Sequence, residues 1–318
     1  MTKAAALPDT PRVDDYDVII VGAGPAGLTA ATYLGRFRRK VLILDGGRPR
    51  ADWIPESHNT PGFPGGVGGR QLLADMDRQA RLYGAERRAA RAQSLSRMAE
   101  RFEVTLETAR GDLAGAPAQV RARFVLLATG VIDRLPDLDG MEAAIKAAKV
   151  RMCPICDAYE AIDQTIAVLG EGDLGAREAA FLRTYSPRVT LLHLGDPAML
   201  TARETLDEHG VEIMPITLAD LAVGPETVTV ARSDQAPRTF DCLYLALGCE
   251  MQTGLATDWG AAHDDDGNLI VSAHQETSVE GLYAAGDVVR GLNQIAVAAA
   301  EAAIAATDIH KRLRALSR

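Results

Sequence analysis

Excess positive charge is the first thing this sequence lacks. Over 318 residues, 34 Lys and Arg stand against 43 Asp and Glu, a net charge of −9. Such a chain has no field with which to hold a phosphate backbone, and no nucleic-acid partner is expected. The basic run Arg36, Arg38, Arg39 and Lys40 is short and reads as a solvated helix end, its cations favouring the negative end of the helix dipole. A long unbroken apolar run is also missing. Residues 18–35 carry no charge, but Gly22, Gly24, Pro25 and Gly27 interrupt them where a turn is needed. The periodicity changes across that break, so strand, turn and helix are expected in place of a membrane span. Residues 1–15 hold no apolar stretch long enough for a signal peptide and read as a loose tail, which sets the expectation of a cytoplasmic protein. Cysteine is scarce, four residues in all. In a reducing compartment structural disulfides are rare, so a close pair calls for redox or metal chemistry.

What is present is the composition of an ordinary folded protein, 47% hydrophobic and 24% charged. The length exceeds what one growing core supports, and two units are expected. A βαβ pattern occurs twice. Tyr16-Asp-Val-Ile-Ile-Val, a Gly-rich turn, a helix to about Phe37 and Lys40-Val-Leu-Ile-Leu form the first copy. Thr165-Ile-Ala-Val-Leu, the turn at residues 170–175, a helix through Leu182 and Arg188-Val-Thr-Leu-Leu form the second. Between them lie a Pro/Gly loop at residues 57–69 and a helix at 71–84. The runs beginning at Phe102 and Val228 alternate like half-buried strands. Two short apolar strands run into small-residue turns, Ala128-Thr-Gly130 and Ala246-Leu-Gly248. Gly281-Leu-Tyr-Ala-Ala-Gly-Asp287 is a further strand and turn, followed by an Ala-rich helix from Gln294 to about Leu313.

Gly22-Ala-Gly24-Pro25-Ala26-Gly27 lies after a strand and before a helix, with Asp45 ending the next strand, which is the context a dinucleotide fingerprint requires. The first Gly permits the turn, the second lets a pyrophosphate approach the backbone and the third lets helix and strand pack. Asp45 should accept from a ribose hydroxyl. NAD and FAD sites share this motif, and the motif does not choose between them. Taken together with Ala128-Thr129-Gly130 and Gly281 to Asp287, it resembles the FAD-binding set of the thioredoxin reductase family of pyridine nucleotide-disulfide oxidoreductases, over nearly the whole chain. The resemblance implies FAD bound by Gly22, Gly24, Pro25, Ala26, Gly27, Asp45, Ala128, Thr129 and Gly130. It also implies contacts from Asn59, from Gly286 and Asp287 at the ribityl chain, and from Gln294, Ile295 and Ala296 at the helix end facing the ring.

Cys153-Pro-Ile-Cys156-Asp157 precedes the second βαβ copy, and its spacing lets two sulfurs meet across one turn. A zinc site would need a second Cys or His pair at ligand spacing. Cys242 and Cys249 stand apart and read as small core residues, so no metal is expected. A structural disulfide is the other reading. By resemblance this is the family's redox Cys-x-x-Cys-Asp: Cys156 exchanges electrons with flavin, Cys153 exchanges with the substrate, and Asp157 serves as the acid–base carboxylate. Of the histidines, His58 reads as a loop residue bonded to backbone, and the other five as surface or satisfied polar groups.

The second glycine-rich turn, with Gly170, Gly172 and Gly175, corresponds to the family's nicotinamide site, yet it also carries Glu171 and Asp173. After the following strand the family's His-Arg-Arg stretch becomes His193-Leu194-Gly195, without the arginines that would hold a 2′-phosphate. NADPH, NADH with Asp196 on the ribose, and no tight nicotinamide binding all stay open.

The expected fold is α/β, two Rossmann-like FAD/NAD(P)-binding domains of the three-layer ββα type with the second inserted in the first. Residues 1–133 and 248–318 would form the FAD domain, and residues 134–247 the NAD(P)-type domain carrying the cysteines. The expected function is that of a thioredoxin reductase-like, FAD-dependent thiol–disulfide oxidoreductase acting on a thioredoxin-like protein or a small disulfide or dithiol. By family likeness it would be a homodimer, with no membrane partner. An oxygen-dependent dithiol oxidase, a reductase fed by NADH or another donor, and a non-enzymatic flavin redox sensor are the alternatives.

Overall fold

Each of the apolar runs named above becomes a strand in the computed structural model, which describes residues 14–107, 119–289 and 291–316. Residues 1–13 of the expected tail lie outside it. The described residues divide into two compact units. One is drawn from Met1–Pro49, Leu73–Gly130 and Met251–Arg318, the other from Arg50–Leu72 and Val131–Glu250.

In the first unit the central strand Asp14–Val21 lies between Val41–Asp45 and Gln119–Leu127, parallel to both. Its residues from Val18 to Val21 are buried on both faces, as a covered parallel sheet requires. Val18 and Ile20 pack with Leu28, Ala31 and Leu34 of helix Pro25–Arg36 and with Ala302, Ala305 and Ile309 of helix Ile295–Leu316. Ile19 and Val21 face the opposite core, with Phe102, Val104 and Leu282. Strand Gln119–Leu127 changes partner along its length. Its start pairs antiparallel with Arg101–Glu107, and its end pairs parallel with Leu282–Ala284, which sets Ala284 opposite Leu127. That register brings the carboxyl-terminal part of the chain beside the first βαβ turn.

Strands Glu86–Ala89 and Arg91–Met98, at the two ends of the sheet order, carry no apolar alternation. Their charged side chains suit edge positions, and Tyr16 Oη donates to Glu86 Oε2 at 2.7 Å.

The second unit holds a parallel sheet in the order Glu212–Ile216, Arg188–Leu194, Thr165–Gly170, Cys242–Ala246 and Val150–Arg151. Helix Gly172–Leu182 covers one face through Ala176, Ala179 and Leu182. The antiparallel strands Leu221–Val223, Val228–Val230 and Arg238–Phe240 contribute to the core on the other. Each unit is therefore layered about a mainly parallel sheet, as expected of a Rossmann-like fold.

Gly27 shows how closely helix and strand meet. A Cβ there would stand 2.0 Å from the Gly22 carbonyl oxygen, whereas a Cβ at Gly254, in helix Gly254–Thr257, meets nothing within 4 Å. Gly27→Ala should therefore lower the unfolding free energy by about 1–3 kcal/mol. Gly254→Ala should leave it unchanged or raise it by up to about 1 kcal/mol. Urea denaturation of both variants checks this, and equal stabilities would contradict the packing described.

Candidate functional site

In the first unit the fingerprint turn leaves strand Asp14–Val21 through Gly22 at φ +113° and enters helix Pro25–Arg36 with Gly24 as its N-cap. A Cβ on Gly22 would stand 2.2 Å from the Ala128 carbonyl oxygen, so this glycine is required for the turn to lie on Ala128-Thr129-Gly130. Thr129 Oγ1 donates to the Gln252 carbonyl at 2.6 Å, and Gly130 accepts from the Gln252 N–H at 3.1 Å. Gly286 completes the cluster. At φ +83° its α-carbon leaves room for Ala26 and Ala298, each of which a Cβ would meet at 3.5 Å or less. The Ala285 N–H donates to the Leu127 carbonyl at 3.0 Å. Asp287 follows directly, and Gln294, Ile295 and Ala296 open the helix to which Ala298 belongs.

Fourteen of the fifteen residues assigned above to FAD thus belong to one unit, the exception being Asn59. Asn59 lies in the second unit, where its Oδ1 accepts from Ser57 Oγ at 3.1 Å. The turn suits the diphosphate of a dinucleotide. No side chain caps the helix, no acid lies in its first turn, and a Cβ on Gly24 would meet only Pro49 at 3.8 Å. Free N–H groups and open space are what an anion needs at a helix start.

Two neighbours escaped the sequence reading. Asp45 Oδ1 accepts from the Gly47 N–H at 2.9 Å and Oδ2 pairs with Arg87, itself held by Asp77 at 3.0 Å. A carboxylate has lone pairs beyond these with which to meet a ribose hydroxyl. Glu301 Oε2 accepts from the Gly286 N–H at 2.8 Å and so fixes the turn that presents Asp287. Burial raises the Glu301 pKa, the Gly286 N–H opposes that, and nearby Asp287 adds to it.

In the second unit Cys153 and Cys156 are joined as a disulfide, their Cα atoms 5.3 Å apart. Cys153 is the N-cap of the short helix Pro154–Asp157, whose proline at the first position has no N–H to leave unpaired. Asp157 is half-buried and anchored from two strands. Tyr244 Oη donates to its Oδ1 at 2.9 Å, and Arg151 Nη1 donates to its carbonyl oxygen at 2.7 Å and stands 3.9 Å from its Oδ2. Arg151 and Tyr244 are register partners on neighbouring parallel strands, which is why residues 93 apart in sequence meet here. Burial pushes the Asp157 carboxyl up to about 6, with Arg151 and the Tyr244 hydrogen bond opposing the rise and Glu160 adding to it. Burial, and then Asp157, keep the Tyr244 hydroxyl protonated and donating.

Cys242 is fully buried as expected, and its thiol is pushed up to about 11 by burial, so it does not compete as a thiolate. Cys249, expected in the core, is only half-buried in strand Cys249–Met251.

The second glycine-rich segment differs from the turn expected at residues 170–175. The strand runs through Gly170 and the helix begins at Gly172, leaving Glu171 alone between them. In the first unit three residues, 22–24, separate strand and helix. The positive φ of +60° at Gly172 allows this abrupt change of direction. His193, read as a surface or satisfied residue, is buried. Its Nε2 accepts from the Gly172 N–H at 3.2 Å, and its Nδ1 has no hydrogen-bond partner among the described residues. Asp173 accepts from the Thr201 N–H at 3.0 Å, from the Thr201 hydroxyl and from the Ala202 N–H at 3.1 Å. Asp196, the candidate for an NADH ribose, instead accepts from the Ala198 N–H at 2.9 Å and caps its own turn. These residues do not fit a nicotinamide dinucleotide.

Known proteins resemble the chain over most of its length. The pattern of the pyridine nucleotide-disulphide oxidoreductase family matches residues 16–302. Thioredoxin reductase from Peptoclostridium acidaminophilum is 30% identical over 322 residues, covering 94% of this chain and 98% of that protein. The bifunctional thioredoxin reductase/thioredoxin of Mycobacterium leprae is 31% identical over 320 residues, covering 94% of this chain and 66% of that protein. The crystal structure of thioredoxin reductase from Streptococcus pyogenes superposes with a TM-score of 0.83 at 26% identity, covering 96% of this chain and all of that one.

The Tyr244 bond stabilises the charged form of Asp157, so its loss must raise the carboxyl pKa. Below about 6 Asp157 is the acid and above it the carboxylate. Tyr244→Phe should move the corresponding inflection in the pH profile of thiol–disulfide exchange upward by roughly one unit. Asp157→Asn should remove it. An inflection that stays in place, or moves down, in Tyr244→Phe would contradict the coupling.

Proposed function

The chain belongs to the pyridine nucleotide-disulphide oxidoreductase family, and on that premise we propose how its residues carry out thioredoxin reductase-like, FAD-dependent thiol–disulfide exchange. The observation that carries this reading is the Cys153–Cys156 disulfide beside a carboxyl poised near 6. Cys153 exchanges with an external disulfide or dithiol, and Cys156 is the partner of the flavin. Opening the disulfide leaves one sulfur as a thiolate, and Asp157, next in the chain, holds or delivers the proton that this leaving group takes up. Tyr244 and Arg151 fix the orientation of Asp157.

FAD is held by Gly22, Gly24, Pro25, Ala26, Gly27, Asp45, Ala128, Thr129, Gly130, Gly286, Asp287, Gln294, Ile295 and Ala296. When bound it supplies two-electron chemistry to the cysteine pair. On this reading residues 1–133 and 248–318 are the FAD-binding domain, and residues 134–247 carry the redox disulfide. The partner is a thioredoxin-like protein or a small disulfide or dithiol. The name of the Mycobacterium leprae relative, which joins a thioredoxin reductase to a thioredoxin, supports the former. A homodimer in the cytoplasm is the expected form. The relatives bear the reductase name, and neither the dithiol-oxidase nor the sensor reading gains from them.

Anaerobic stopped-flow mixing of the FAD-loaded protein with a dithiol tests the assignment through flavin absorbance. The wild type should bleach, and Cys156→Ser should slow bleaching by at least about two orders of magnitude. Undiminished bleaching in the variant would sink the role given to the pair.

A further inference from the structure

A dinucleotide bound at a βαβ turn needs unoccupied N–H groups at the helix start, room for its pyrophosphate and no uncompensated negative charge facing it. The turn at Gly22–Gly27 meets these conditions, whereas at the turn Gly170–Gly175 the first helical N–H is already taken and acidic side chains flank the helix start. His193 stands opposite Gly170 in the register of adjacent parallel strands, which sets its ring beside the turn, where Nε2 takes up the Gly172 N–H at 3.2 Å. Asp173, in the first turn of the helix, ties that helix to Thr201 and Ala202 through three hydrogen bonds. Glu171 Oε1 would lie 3.8 Å from a Cβ placed on Gly195, at the end of the next strand. No Lys or Arg occurs between Arg188 and Arg203, and Arg177, one turn along the helix, offsets Asp173 alone.

From this arrangement we infer that His193 and Asp173 act as specificity determinants by exclusion. They close the second glycine-rich turn against nicotinamide dinucleotides, NADPH and NADH alike, with groups of the chain itself. The inference deepens the proposed function and rests on it for the identity of the turn as the family's second nucleotide position.

Equilibrium dialysis of the FAD-loaded protein with NADPH and with NADH reads the closure directly. Wild type should show no saturable binding in the micromolar range. The double variant His193→Ala/Asp173→Asn, which frees the Gly172 N–H and removes one carboxylate, should bind at least one nucleotide about tenfold more tightly than wild type. Micromolar binding by wild type would overturn the inference, and so would a double variant that binds no better. Should the variant fail to fold, hydrogen exchange on the wild type decides. The Gly172 amide should be protected without ligand, and free exchange there would refute the closure. A dithiol-exchange assay on the same samples keeps the two claims separate. Loss of exchange in wild type counts against the proposed function, whereas nucleotide binding with intact exchange counts only against the closure.

Discussion

A helix that starts against a parallel sheet leaves its first N–H groups without intrahelical partners, and each must be satisfied. The two units meet this requirement in opposite ways. In the first, Gly22, Gly24 and Gly27 keep the helix start free of side chains, so that an anionic ligand is the natural partner. In the second, the helix begins one residue beyond the strand, His193 supplies an acceptor and Asp173 binds the neighbouring loop. A single backbone constraint thus separates a site suited to a dinucleotide from one that has become part of the scaffold.

The redox centre depends on a different use of the same sheet. Parallel pairing sets Tyr244 beside Arg151, and the two converge on Asp157, at the end of the helix that Cys153 caps. Burial favours the neutral carboxyl, while Arg151 and the tyrosine hydroxyl favour the anion. The balance near 6 leaves both protonation states accessible close to neutrality, which is the condition for moving a proton as sulfurs exchange. Cys242, two residues from Tyr244 on the same strand, is kept out of this chemistry by its own burial.

Much of the architecture was legible because buried parallel strands are written as apolar runs and their turns as glycine. Tyr16 to Val21, Thr165 to Leu169 and Gly281 to Asp287 all carry that signal. Strands Glu86–Ala89 and Arg91–Met98 carry none, since an edge strand is specified by its neighbour's hydrogen bonds more than by its own side chains. Glu301 and Arg87 were hidden for a related reason. Each is an ordinary charged residue on its own element, and only pairing across the fold brings it to Gly286 or Asp45.

The sequence by itself determined the two βαβ units, the glycine fingerprint and the spacing of the cysteine pair, because these follow from local periodicity and short-range geometry. It also raised, through Glu171, Asp173 and the missing arginines, the question of the second turn without answering it. Tertiary structure decided where the buried imidazole of His193 points, which strand carries the partner of Asp157 and how short the second turn is. Those outcomes depend on register between strands far apart in the chain, and a one-residue change of register would have turned His193 or Tyr244 to the opposite face of the sheet.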